Sequence, residues 1–343
     1  MPVSLCKNSQ FVVSTLALKR SLQALLLLSL MLPNSSITPA SAIETTTKQR
    51  SHKEILSHSP KSPHYPISQL TPQRLNLDMR SAADWVNQGL QSIQSGKVSE
   101  AIAAFREAIK LDPKLAAAHY NLGLALRQAG QLQPAADAFY RATQADEKFA
   151  LAFANLGAAL LEGKNLPQAT EYLQRALQLD PKLGLAHYNL GLVYQQQQDW
   201  ERAIASFKKA MEFSKNAPEP AYHLGLCYLQ QGKIDKAKDS FRRALKINPN
   251  YPEVHYNLGQ ILFEQGKFKD ALNAFRKSAE ANSNYANAYY GAGLVFMQLK
   301  QYPDAQRVLQ YAKDLYTAQG NLEWARNAEQ LLQQTTNVNF PSP

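Results

Sequence analysis

Residues 184–217 read GLAHYNLGLVYQQQQDWERAIASFKKAMEFSKNA, and residues 150–183 before them and 218–251 after them follow the same grammar. Self-similarity at a fixed period, here thirty-four, is the signature of a repeat architecture and takes precedence over any other reading. Counting Ala82 as position 1, position 8 is Gly89, Gly123, Gly157, Gly191, Gly225, Gly259 and Gly293. Position 20 is Ala in all seven units, from Ala101 to Ala305, and position 24 is Phe105, Phe139, Leu173, Phe207, Phe241, Phe275 and Leu309. Seven units without an insertion cover residues 82–319.

Each unit carries two apolar runs with spacings of three and four, separated by a polar break. In the quoted unit the first run is Leu185, Tyr188 and Leu192, and the second is Ala203, Phe207 and Ala210. That pattern predicts two amphipathic helices per unit, with a turn at the break, where Gly96, Gly130, Gly163, Gly232 and Gly266 stand. Small residues at positions 8 and 20 allow the two helix axes to approach to about 8–10 Å, and the large residue at position 24 fills the remaining space. Proline at position 32 (Pro113, Pro181, Pro249) closes the second helix. One helix pair cannot bury its apolar face alone, so the units must stack.

These columns resemble the tetratricopeptide repeat family: large at position 4, Leu at 7, Gly at 8, Ala at 20, large at 24, Ala at 27 and Pro at 32. Gln88 and Ala292 at position 7, Ser278 at 27, and Glu147, Lys215, Ser283 and Thr317 at 32 depart from it. The resemblance implies an all-α fold, a right-handed superhelix (α-solenoid) of antiparallel helix pairs. It also implies a concave face lined by the first helix of each unit through positions 2, 5, 6, 9, 12 and 13. Position 6 there holds Asn87, Asn121, Asn155, Asn189 and Asn257, with His223 and Gly291 in the other two units. Position 5 holds Tyr120, Tyr188, Tyr222, Tyr256 and Tyr290. Asn offers both donors and an acceptor, so a column of it can pair with a peptide backbone, and it resembles the ladder that long arrays of this family use to grip extended peptides. The same column also has a structural reading, a bond across to a neighbouring helix. Tyr beside it adds apolar area with a polar tip. The family's carboxylate-clamping mode is not expected, because positions 2, 5 and 6 hold no Lys or Arg, whereas Glu219, Glu253 and Glu264 make the far end of the groove acidic.

His119, His187 and His255 occupy position 4 of alternate units, too far apart to share a metal ion, and are expected to fill the large-residue slot. Cys227 is expected to be a packed thiol. No strained nucleophile turn, glycine-rich phosphate loop or metal-spaced His/Cys/Glu cluster occurs, so no enzymatic activity and no cofactor are expected.

Outside the repeats the chain changes character. Lys7, Lys19 and Arg20 precede the apolar run Leu22–Leu32, and Ala40-Ser41-Ala42 follows it. A basic segment, a short apolar core and an A-x-A site are the parts of a signal peptide, residues 1–42. The run is short for a membrane span, which needs about 20 residues. Export to a periplasm, a thylakoid lumen or the outside is expected. An exported chain left with one cysteine is bacterial in habit. Residues 43–80 are rich in Pro, Ser and Thr and predict a disordered spacer; His52, His58 and His64 within it lack the company of a metal site. The net charge of +10 falls to +4 once residues 1–80 are set aside. That excludes a nucleic-acid function on charge grounds and leaves room for peripheral membrane association. Residues 320–335 predict a capping helix and 336–343 a tail. The whole reads as a protein-binding scaffold, such as an assembly factor for an envelope or photosynthetic-membrane complex. The alternative is a self-associating structural subunit of a secretion, pilus or polysaccharide machine.

Overall fold

A computed structural model describes residues 80–337. The expected signal peptide, nearly all of the spacer with its three histidines, and residues 338–343 lie outside the described residues. Within them there are fifteen α-helices and no strand. They fall into two compact units, divided between Lys215 and Asn216.

The N-terminal unit holds α1 (Ala82–Gln94), α2 (Val98–Leu111), α3 (Ala116–Gln128), α4 (Leu132–Ala145), α5 (Ala150–Glu162), α6 (Leu166–Leu179), α7 (Gly184–Gln196) and α8 (Trp200–Phe213). The C-terminal unit holds α9 (Glu219–Gln230), α10 (Ile234–Ile247), α11 (Pro252–Glu264), α12 (Phe268–Ala281), α13 (Ala286–Gln298), α14 (Tyr302–Ala318) and α15 (Leu322–Asn337). From α1 to α14, each odd-numbered helix packs antiparallel against the even one that follows, through turns too short for any other arrangement. The array opens on a capping box at Ser81, whose hydroxyl accepts from the Asp84 backbone N–H at 3.2 Å while the Asp84 carboxylate accepts from the Ser81 N–H at 2.9 Å.

The position-8 glycines set the distance within each pair. A Cβ on Gly123 would stand 2.6 Å from the Phe139 ring, and one on Gly259 2.7 Å from that of Phe275. The same holds for every pair from Gly89 with Phe105 to Gly293 with Leu309. All seven position-20 alanines are fully buried, as are the position-27 alanines. Ser278, the departure at position 27, is fully buried too and donates its hydroxyl to the Pro252 carbonyl at 2.8 Å, so the extra oxygen is satisfied.

The turns depart from expectation at one place. The residue that adopts left-handed backbone is position 15: Gly96, Gly130, Gly232 and Gly266 as expected, but Lys164 in place of Gly163, along with Gln198 and Lys300. Gly163 has φ −73° and ends α5 outside the left-handed region. The turn demands its positive φ one residue later, where the N–H of the next residue reaches back to close the loop, as Asn165 N–H does to Leu160 O at 2.8 Å.

The alternate histidines do fill the large-residue slot, and they also tie one helix pair to the next. His119, His187 and His255 Nε2 donate to the carbonyls of Pro113, Pro181 and Pro249 at 2.9, 3.0 and 2.8 Å. His at position 4 occurs only where the preceding unit ends in Pro at position 32, a pairing written in the sequence.

The C-terminal unit ends on α15, which starts and ends two residues later than the expected cap of 320–335. Its Trp324 is buried edge-on against Tyr290, with ring centroids 5.5 Å apart. Trp324 extends the position-5 aromatic column by one step and covers the last apolar face, while Leu322 on the other side is 61% exposed.

Candidate groove lined by the asparagine column

The asparagine column follows from the repeat period, because position 6 falls on the same face of each helix that carries it, α1, α3, α5 and α7 in the N-terminal unit and α11 in the C-terminal unit. Asn87 is exposed, Asn121 half-buried, and Asn155, Asn189 and Asn257 buried. The amides of Asn121, Asn155 and Asn257 each donate through Nδ2 to the carbonyl four residues earlier: Ala117 at 2.8 Å, Leu151 at 3.0 Å and Glu253 at 2.7 Å. A carbonyl can only accept, so this bond fixes which end of each amide faces the helix. Asn155 Nδ2 also reaches the Tyr120 hydroxyl at 3.3 Å, a bond between the two expected columns. Two amide atoms of the column are buried with no partner, Asn189 Nδ2 and Asn257 Oδ1.

The tyrosine column is placed differently from expectation. Tyr120, Tyr222, Tyr256 and Tyr290 are buried, and Tyr188 is half-buried. Tyr120 packs on Phe139 of its own helix pair (5.8 Å) and on Phe149, position 34 of the same unit, which leads into the next helix (4.9 Å). Tyr256 does the same with Phe275 and Tyr285, and Tyr222 with Phe241 and Tyr251. These rings are wedges that join consecutive helix pairs, so the Tyr residues shape the groove wall from behind. Burial pushes the phenols of Tyr256 and Tyr290 up, which keeps them neutral. The signal was available in the sequence: wherever position 34 is aromatic (Phe149, Tyr251, Tyr285), position 5 of the same unit is Tyr.

The remaining groove positions carry the charge. In the N-terminal unit Arg127 on α3 and Glu162 on α5 form a partly buried ion pair, so charge there cancels internally. In the C-terminal unit Glu253 is half-buried and its carboxyl is raised by burial. His223, which takes the Asn place on α9, is buried and depressed to about 4 by desolvation, so it is neutral. Gly291 ends the column because the Phe275 ring occupies its side-chain space, 2.7 Å from where a Cβ would stand. Cys227 is fully buried and its thiol is pushed up to about 12. Among the described residues no group of His, Cys, Asp or Glu could hold a metal ion, and no helix is long and apolar enough to cross a membrane.

Comparison with known proteins agrees with the fold. No curated protein matches the chain. Among solved structures, a chain of the APC/C hetero-tetramer Cut9–Hcn1 superposes with a TM-score of 0.58 at 21% identity, covering 65% of this chain and 44% of that one. The chain thus spans less than half of that relative. A tetratricopeptide repeat protein from Parabacteroides merdae gives 0.55 at 19% identity, covering 74% of this chain and 98% of that one. PilF of Pseudomonas aeruginosa gives 0.54 at 20%, covering 60% and 94%. At these identities the likeness is one of fold. A tetratricopeptide repeat model matches residues 256–321. A second model, described as the C-terminal domain of cilia and flagella-associated protein 70, matches residues 68–287. The helix pairs, the Gly/Phe columns and these matches agree: the chain belongs to the tetratricopeptide-repeat family represented by that C-terminal domain.

Proposed function

We propose that this protein is a non-enzymatic scaffold that holds an extended peptide or protein segment against the asparagine-bearing helices of each unit, on the far side of a membrane from its synthesis. The observation that carries the reading is the state of the amides. Their Nδ2 groups are held by their own helices at Asn121, Asn155 and Asn257, so a ligand need not order them. Asn189 Nδ2 and Asn257 Oδ1 remain buried without partners. Each unpaired buried polar atom costs roughly 1–3 kcal/mol, and a peptide unit supplies both a carbonyl and an N–H.

The test is a pull-down from envelope extract with the full chain, beside a variant carrying Asn121→Ala, Asn155→Ala and Asn189→Ala. Circular dichroism first establishes that the variant stays helical. Loss of a partner from the variant supports the groove. Retention by both moves binding to the outer face or the ends. A defined oligomer of the wild type with no partner favours the self-associating subunit instead. N-terminal sequencing of the expressed protein tests export: a start at Ile43 is expected.

A further inference from the structure

Glu253, Asn257, Gln260 and Glu264 lie on α11 at spacings of four, three and four, which places them on one line of the helix. The two amides in the middle are 0% and 1% exposed. Their nitrogens are spent: Asn257 Nδ2 on the Glu253 carbonyl at 2.7 Å, Gln260 Nε2 on the Tyr256 hydroxyl at 2.9 Å. Their oxygens, Asn257 Oδ1 and Gln260 Oε1, are buried with no hydrogen-bond partner. The half-buried Glu253 carboxylate stands one turn before them and belongs to none of the ion pairs among the described residues. No Lys or Arg occurs in any groove column of this unit. Along this line, then, lie a half-buried carboxylate and two buried, unanswered acceptors, which a ligand side chain would have to enter between the helices to meet, and the groove columns supply no cation for them. Position 9 is Leu on the flanking helices, Leu226 and Leu294, so the stack has no need of a Gln there.

We propose that this line on α11 is a subsite for one arginine side chain of the segment held in the groove. The proposal rests on the groove reading above and names the chemistry of its ligand. A guanidinium has five N–H donors and no acceptor, set in a planar fork, and so can serve several acceptors on neighbouring side chains of one helix face. It neutralises the carboxylate and fills both amide oxygens in one step. A lysine ammonium concentrates its donors at a point and is more strongly hydrated, so it is the poorer fit.

The experiment pans a random dodecapeptide phage library against the full chain and against Gln260→Leu and Glu253→Gln. Wild type enriches peptides with Arg at one fixed position. Both variants lose that preference while still binding. A selected peptide with its Arg replaced by citrulline binds wild type at least tenfold more weakly and the variants about equally. Unliganded Gln260→Leu melts at a higher temperature than wild type, because it removes an unpaired buried oxygen, which shows that the variant is folded. Peptides with no fixed Arg, or with Lys in its place, overturn the subsite and leave the groove reading standing. Failure to enrich any peptide overturns both.

Discussion

Gly259 and Phe275 show how a residue column acts at atomic scale. The ring occupies the volume a Cβ would need, so Gly259→Ala forces two helices apart at their closest point. Overpacking of this kind costs typically ~1–3 kcal/mol, to be read as a lower midpoint in urea unfolding. A second residue-scale prediction concerns acid. The folded pKa of His223 is about 4 against an ordinary value of 6.5. The unfolded chain therefore binds the proton first, and stability present in full above pH 6.5 is lost as pH falls towards 4. The loss is up to ~3 kcal/mol, because each tenfold difference in proton affinity is worth about 1.4 kcal/mol. His223→Asn, the residue the column carries elsewhere, flattens that part of a stability–pH curve. These residues differ in how far the sequence announced them. Glycine opposite phenylalanine has one physical meaning, and the columns disclosed it. Tyrosine at position 5 suits a wet groove and a dry seam equally, and the choice depended on ring neighbours at the far end of the unit, Phe149 for Tyr120 and Tyr285 for Tyr256. The unpaired state of the Gln260 oxygen depended on a hydroxyl one turn back, that of Tyr256.

At the scale of the element, the turns decide where each pair ends. Lys164, Gln198 and Lys300 hold φ of 61°, 59° and 59°, in a region that costs an L side chain roughly 1–2 kcal/mol. Glycine removes that strain but loses more freedom on folding. Lys164→Gly and Lys300→Gly are each expected to stabilise by up to ~1 kcal/mol, seen as a raised Tm. The helices themselves were legible because their apolar spacing is sustained over each run. In the third unit Gly163 points to the left-handed position one residue too early, and Lys164 takes it. A turn is fixed by where its backbone donors close, and glycine marks that place only when it happens to stand there.

Across the whole molecule the same contact recurs at short range. Gly89 meets Phe105 and Gly259 meets Phe275, each on the facing helix of its own pair. The position-5 rings reach the last residue of their own unit, and Tyr290 reaches Trp324 just past it, while the histidines reach back to the proline that closes the unit before. Low sequence separation of contacts goes with fast folding, and stability in such arrays is close to a sum over neighbours. The stacking of pairs was therefore readable from the period alone. The division between Lys215 and Asn216 was not, because no column breaks its phase there.

The short reach of the glycine–phenylalanine contact also sets how the protein answers tension. Held by its two ends, it has no long-range clasp among the described residues of either unit that must snap before anything else can lengthen. Extension should proceed as a staircase, with each released helix pair and its turns adding about 110–120 Å of contour. Optical tweezers would record steps of that size at similar low forces; one large rip would mean that the pairs yield together.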